Sequence, residues 1–388
     1  MKLQIKIIAV AALALVALVF VWRGSAAAST GPECTPGGGF VPRFCVTVPA
    51  GPAIRRETTV ALASVASRTA DLRVEAGIPA GEALRVAGAL DRAAAQVERA
   101  FGRSFSERPR VLLFATPKSF AQGIEELFVY PSDVARTAAA SYGGIVDQRT
   151  LTVAVDFRAT AADDLPGLLA HELVHVMIRE TAGVDADLPA WFEEGLATVI
   201  QREDALPADT DALVARSLVA NRVVSLGELT TLADWHRAYP RIGRPQYAVA
   251  ADAVGAMEDR VTEPLLVRAL VAVGAGERFA DAYAELGAGT LADFVAGFDA
   301  TAAKASVAVS STPSAAGDVA WTISGFAPDS AVVIRISGER GYDLAFTVRT
   351  DDLGMYRGSF GSTAPAGRYS IDATESGAHA LATMETAR

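Results

Sequence analysis

One helical stretch of the chain reads His171-Glu172-Leu173-Val174-His175. Histidines four residues apart on a helix project from one face about one turn apart, so both imidazoles can reach a single ion. Glu172 lies about 100° further round the helix, where its carboxylate faces the water beside such an ion rather than the ion itself. Leu168, Leu169, Leu173, Val176 and Met177 embed the helix in a core, where two histidines without a partner would be costly. A two-histidine site needs a third ligand. Glu194 follows His175 with 18 residues between and sits beside Glu193 in Pro189-Ala190-Trp191-Phe192-Glu193-Glu194-Gly195-Leu196-Ala197. The chemistry of such a set is metal-assisted hydrolysis, with a carboxylate as general base.

These residues need two helices to position them. From Ala162 the apolar period is helical to about Glu180, with Asp163 and Asp164 as caps and Pro166 in the first turn. A second helix is predicted over Pro189 to Gln201. Upstream, Arg110 to Ala115 reads as a buried strand followed by a turn at Pro117, and Ser141 to Val146 with Leu151 to Phe157 reads as a hairpin around Asp147-Gln148-Arg149-Thr150. Glu57 to Arg103 reads as two helices broken at Ile78-Pro79-Ala80-Gly81, and Leu226 to Phe298 as a small helical bundle. After Ala303 come short strands (Val319 to Ile323, Ala331 to Ile336, Leu344 to Arg349, Arg368 to Ala373) between Gly, Pro and Asp turns, the pattern of an antiparallel sandwich.

The pair His171–His175 and Trp191-Phe192-Glu193-Glu194-Gly195-Leu196-Ala197, at this spacing, resembles the gluzincin branch of zinc peptidases, the peptidase MA-like group whose best-known members are aminopeptidases. The resemblance runs from about Val111 to Phe298. It implies an α+β, thermolysin-like catalytic domain: a small mixed sheet with an antiparallel edge, plus a helical subdomain. It also implies one Zn2+ per chain held by His171, His175 and Glu194, with Glu172 as general base and peptide or protein as substrate. On that match Glu193 is a solvated or supporting carboxylate. Gln246-Tyr247-Ala248 resembles the tyrosine-led helix that follows the zinc helices in this family, which makes Tyr247 the candidate oxyanion donor. His236 is the other option, although Trp235-His236-Arg237 reads as a polar surface turn. Gly143 and Gly144 occupy the place of the edge strand that holds substrate in extended form. Aminopeptidases carry Met-Glu-Asn in that strand, whereas this chain has Ile145-Val146-Asp147. That departure favours an endopeptidase, or a peptidase with a narrow partner, over an aminopeptidase; the alternative is a silent peptidase-like domain that binds protein or cell wall. The strands after residue 318 resemble bacterial immunoglobulin-like accessory domains, which implies a partner at the cell surface.

Composition sets the frame for these motifs. With 388 residues and 51% hydrophobic residues the chain can bury cores in two or three domains. A net charge of -10, with 35 basic residues scattered among 45 acids, argues against nucleic acid as a partner. Lys2 and Lys6 precede an apolar run from Ile7 to Trp22, followed by small residues up to Ala28. This reads either as a cleaved export signal or as an uncleaved membrane anchor, and both place the rest outside the cytoplasm. Cys34 and Cys45 flank a Gly/Pro-rich stretch and are predicted to form a short-loop disulfide in that oxidising compartment. The expected division is 1–28 signal or anchor, 29–55 Cys-bridged segment, 56–104 helical lead-in, 105–301 zinc domain, 302–317 linker and 318–388 sandwich.

Overall fold

The computed structural model describes residues 56–158, 165–201, 215, 218–220, 223–302, 306–309, 319–360, 367–375 and 378–386. The apolar run at 7–22 and the cysteines Cys34 and Cys45 lie outside the described residues. Among the described residues no helix is long and apolar enough to cross a membrane.

A five-stranded mixed sheet organises the first part of the chain. Its strands are β1 (Leu62–Val65), β2 (Asp71–Glu75), β3 (Arg110–Phe114), β4 (Gly144–Asp147) and β5 (Thr152–Asp156), in the order β1-β2-β3-β5-β4. The centre is parallel, β2 to β3 to β5, and both outer pairs are antiparallel. Helix α1 (Ala80–Phe101) crosses from β2 to β3, as a parallel pair requires. Both faces are covered, so β3 is apolar at nearly every position: Val111 and Leu113 point into the main core, while Leu112 and Phe114 meet α2 (Pro117–Phe128) and α3 (Ser132–Ser141) on the other side. At Gly123 of α2 a Cβ would come 2.2 Å from the Phe114 ring, so the glycine lets α2 lie directly on that strand.

Two expectations need correction here. The first of the two helices expected between Glu57 and Arg103 is instead the β1–β2 hairpin. Val60, Leu62 and Val65 suggested a helical period, but the Thr58-Thr59-Val60 entry and the side chains of Ser67 and Thr69 favour extended chain and turn over helix. The turn is held by Asp91 of α1, which accepts from Ser67, Thr69 and Arg68, and the entry by Glu126 of α2, which accepts from Thr58 and Thr59. The lead-in therefore belongs to the sheet. The turn expected at Pro117 opens α2, with Thr116 as its cap and Pro117 in the first turn.

The main core continues into a helical half: α4 (Leu165–Ala182), α5 (Ala190–Gln201), α6 (Leu232–Ile242), α7 (Pro245–Glu258), α8 (Glu263–Gly274), α9 (Phe279–Glu285) and α10 (Leu291–Ala302). Helix α4 is central. It is apolar nearly all round, and α1, α5, α8 and strands β4 and β5 surround it.

Beyond residue 302 the chain forms two antiparallel sheets, β10-β7-β6 and β12-β11-β8-β9. Their strands are β6 (Ser306–Val309), β7 (Val319–Ser324), β8 (Ala331–Gly338), β9 (Asp343–Arg349), β10 (Tyr356–Phe360), β11 (Gly367–Glu375) and β12 (Ala378–Thr386). The sheets share a second core built on Trp321, Ile334, Ile336, Tyr369 and Ile371. Strand β6 pairs with β7 and so begins the sheets inside the stretch expected to be linker. From the β9–β10 turn, Leu353 reaches across to pack on the main core.

Candidate metal centre

Helix α4 brings His171 and His175 to one face, and the start of α5 brings Glu194 against them. The Nε2 atoms of the two histidines lie 3.3 Å apart. The Glu194 Oε2 atom is 3.3 Å from His171 Nε2 and 3.6 Å from His175 Nε2. A tetrahedral ion with ligand bonds of about 2.0–2.1 Å spaces its donor atoms about 3.3–3.4 Å apart; two sides of the donor triangle match that spacing and the third, from His175 to Glu194, is longer. Among the described residues this is the one group of three or more such side chains that can hold a metal ion.

The three groups shift one another's protonation. Burial works upward on the Glu194 carboxyl, but His175 and His171 outweigh it and hold the group well below the usual carboxylate range. Burial works downward on His175, and Glu194 outweighs it and raises the imidazole. Glu194 is thus an ionised carboxylate beside both imidazoles. His171 is already oriented, because its Nδ1 lies 3.1 Å from Gln201 Oε1. An acceptor there fixes the proton on Nδ1 and turns the Nε2 lone pair toward the triangle.

Glu172 points elsewhere. A Cβ on Gly144 would lie 2.5 Å from Glu172 Oε1, so the carboxylate fills the space that the glycine of edge strand β4 leaves open. At Gly144 it is thus Glu172 that comes close to the strand backbone. Gly143 serves the strand pairing: its carbonyl accepts from Asp156 N at 2.9 Å. Glu172 is only 5% exposed. Burial pushes its carboxyl up to about 7, against the pull of His171 and with a further push from Glu194. A carboxylate so raised is suited to accept and return a proton near neutral pH.

Gly195 explains how α5 comes so close. A Cβ there would meet the Ala250 carbonyl oxygen of α7 at 2.3 Å, so the two helix backbones touch. One turn earlier on α7, the Tyr247 ring stands 5.9 Å from the His171 ring. Burial, and after it Glu194, raises the Tyr247 phenol well above its ordinary range, so it remains a hydrogen-bond donor.

The sequence reading overlooked part of the surroundings. Tyr142, just before β4, lies 2.8 Å by its hydroxyl from His236 Nδ1, and Tyr239 donates to the Ser141 carbonyl at 3.4 Å. His236 is therefore not in a polar surface turn. It lies on α6 beside the fully buried Trp235, and burial lowers its pKa against the influence of Glu194. Tyr142, Tyr239 and Tyr247 form a chain of ring contacts at 5.5 and 6.3 Å. On α6, His236 and Tyr239, three apart, share a face, but that spacing does not show that Tyr142 lies opposite. Glu193 is not solvated either, since its carboxylate is buried against Arg179. Neither a scan against protein-family models nor a search of curated proteins returned a match for this chain, so the site is read from its own geometry.

Proposed function

We propose that this chain is a zinc-dependent metallopeptidase of the gluzincin type that hydrolyses peptide bonds, acting outside the cytoplasm as a secreted or membrane-anchored endopeptidase. One observation carries the reading: His171, His175 and Glu194 converge at ligand spacing while Glu172, on the same helix, turns away toward the sheet edge. In this account the two imidazole nitrogens and the Glu194 oxygen hold the ion. Bound zinc supplies a Lewis acid that polarises the scissile carbonyl and acidifies water. Glu172 takes a proton from the attacking water at its carboxylate and returns it to the leaving amine. Strand β4 ends its sheet next to Glu172, so an extended peptide added there would lie beside the base. Tyr247, near His171, donates to the oxygen that gains charge. The gluzincin fold and an immunoglobulin-like character for the C-terminal sheets belong to the same proposal, with a cell-surface partner for the latter.

Zinc stoichiometry tests the ligand set. At saturating zinc the full chain should hold one equivalent, and Glu194→Ala should lose most of it. If Glu194→Ala kept its zinc while Glu193→Ala lost it, the ligand would be the neighbouring carboxylate.

A further inference from the structure

Behind the donor triangle lies a second pairing between the same two helices. Arg179 stands one turn beyond His175 on α4, on the stripe that carries His171 and His175. Its Nη2 donates to Glu193 Oε1, and its Nη1 donates to the Ala186 carbonyl at 2.8 Å, in the connection between α4 and α5. The two side chains are 6% and 8% exposed. Glu193 closes the first turn of α5 and Glu194 follows it, about 100° further round the axis. One carboxylate therefore meets the guanidinium and the other the imidazoles.

A buried ion pair is poorly explained by stability. Two apolar side chains of similar volume usually serve as well or better, because each charge must be desolvated. What the pair adds is direction. The guanidinium is a rigid fork with donors at fixed angles, and here it grips both the connection and the first turn of α5. Rotation or sliding of α5 would break these bonds and leave buried polar groups without partners. The same movement would carry Glu194 off the histidines.

Building on the metal reading above, we infer that Arg179 and Glu193 are positioning residues that set Glu194 against His171 and His175. They touch neither the ion nor the substrate. Their contribution is to the affinity of the site.

The test separates positioning from structural support. In the full chain, Arg179→Met combined with Glu193→Leu replaces the pair by apolar side chains of similar reach. Thermal unfolding of the metal-free protein should be unchanged or shifted upward. Affinity for zinc alone, from competition with a chromophoric chelator, should fall about 10- to 100-fold, as for other residues that orient ligands. Wild-type zinc affinity in the double variant would overturn the inference and leave the ligand set standing. A wild-type chain that binds no zinc would overturn both. Should the double variant fail to fold, Arg179→Lys decides: a single ammonium cannot span both acceptors as the fork does, so a drop of about tenfold is expected, and unchanged affinity would refute the positioning role.

Discussion

Gly144 and Glu172 lie against each other, and that contact ties the sheet edge to the proposed general base. A methyl group on Gly144 would sit 2.5 Å from Glu172 Oε1 and 2.9 Å from its Cδ, so the carboxylate must move. Gly144→Ala should therefore lower peptide cleavage by about 10²-fold, the scale expected for a catalytic group displaced by about 1 Å. Zinc content should stay at the wild-type level, because Glu172 is not among the three donors. Joint loss of zinc and activity would mean that the strand supports the ligands as well as the base. Gln201 acts on the other side of the site. Removing its carbonyl in Gln201→Leu frees the His171 ring to rotate and should weaken zinc binding by about 10- to 100-fold. Unchanged affinity by chelator competition would show that the 3.1 Å contact orients nothing.

Among the elements, the approach of α5 to α7 and the hold on the β1–β2 hairpin carry the consequences. Gly195→Ala inserts a methyl group where the Ala250 carbonyl stands 2.3 Å away. The helices must part, with a destabilisation of about 1–3 kcal/mol and a loosening of both Glu194 and Tyr247; equal melting temperatures for the two proteins would contradict this. The hairpin depends on two carboxylates. Burial works upward on Asp91 and Glu126, but hydrogen bonds outweigh it and hold both at about 2, below ordinary values of 3.8 and 4.5. Groups depressed in the folded state stabilise it fully above their unfolded values and lose that contribution as pH falls through the folded ones. Melting temperature should thus decline from about pH 4.5 toward pH 2, and less steeply in Asp91→Asn with Glu126→Gln. Equal slopes would refute it. The hairpin also marks where sequence reading stopped. Motif, strand β3, the β4–β5 hairpin and helices α4 and α5 were legible because each has a strong local period. Strands β1 and β2 are short, and what holds them is side chains more than twenty residues away in sequence. The Arg179–Glu193 pair and the Tyr142–His236 contact were hidden for the same reason: spacing along one helix does not show what another helix places opposite.

At the scale of the whole molecule, the described residues hold three apolar clusters: first the main core around α4, then one between the sheet and helices α2 and α3, and one between the C-terminal sheets, with Leu353 packing on the main core. Every residue assigned to the metal centre lies in the first. Calorimetry of the full chain should resolve two unfolding transitions, of which only one shifts upward with zinc; a single transition would show that the cores unfold together. A chain ending at about residue 303 should keep the zinc-responsive transition. The central claim is hydrolysis by a held ion and Glu172, and a single comparison addresses it directly. Wild-type and Glu172→Gln chains are loaded with zinc, metal content is measured, and cleavage of an unfolded protein such as casein is followed with and without chelator. The wild type should cleave and stop on chelation, whereas Glu172→Gln should retain its zinc and lose activity by about 10²- to 10⁴-fold. Cleavage by Glu172→Gln at the wild-type rate, or none by the zinc-loaded wild type, would contradict the account.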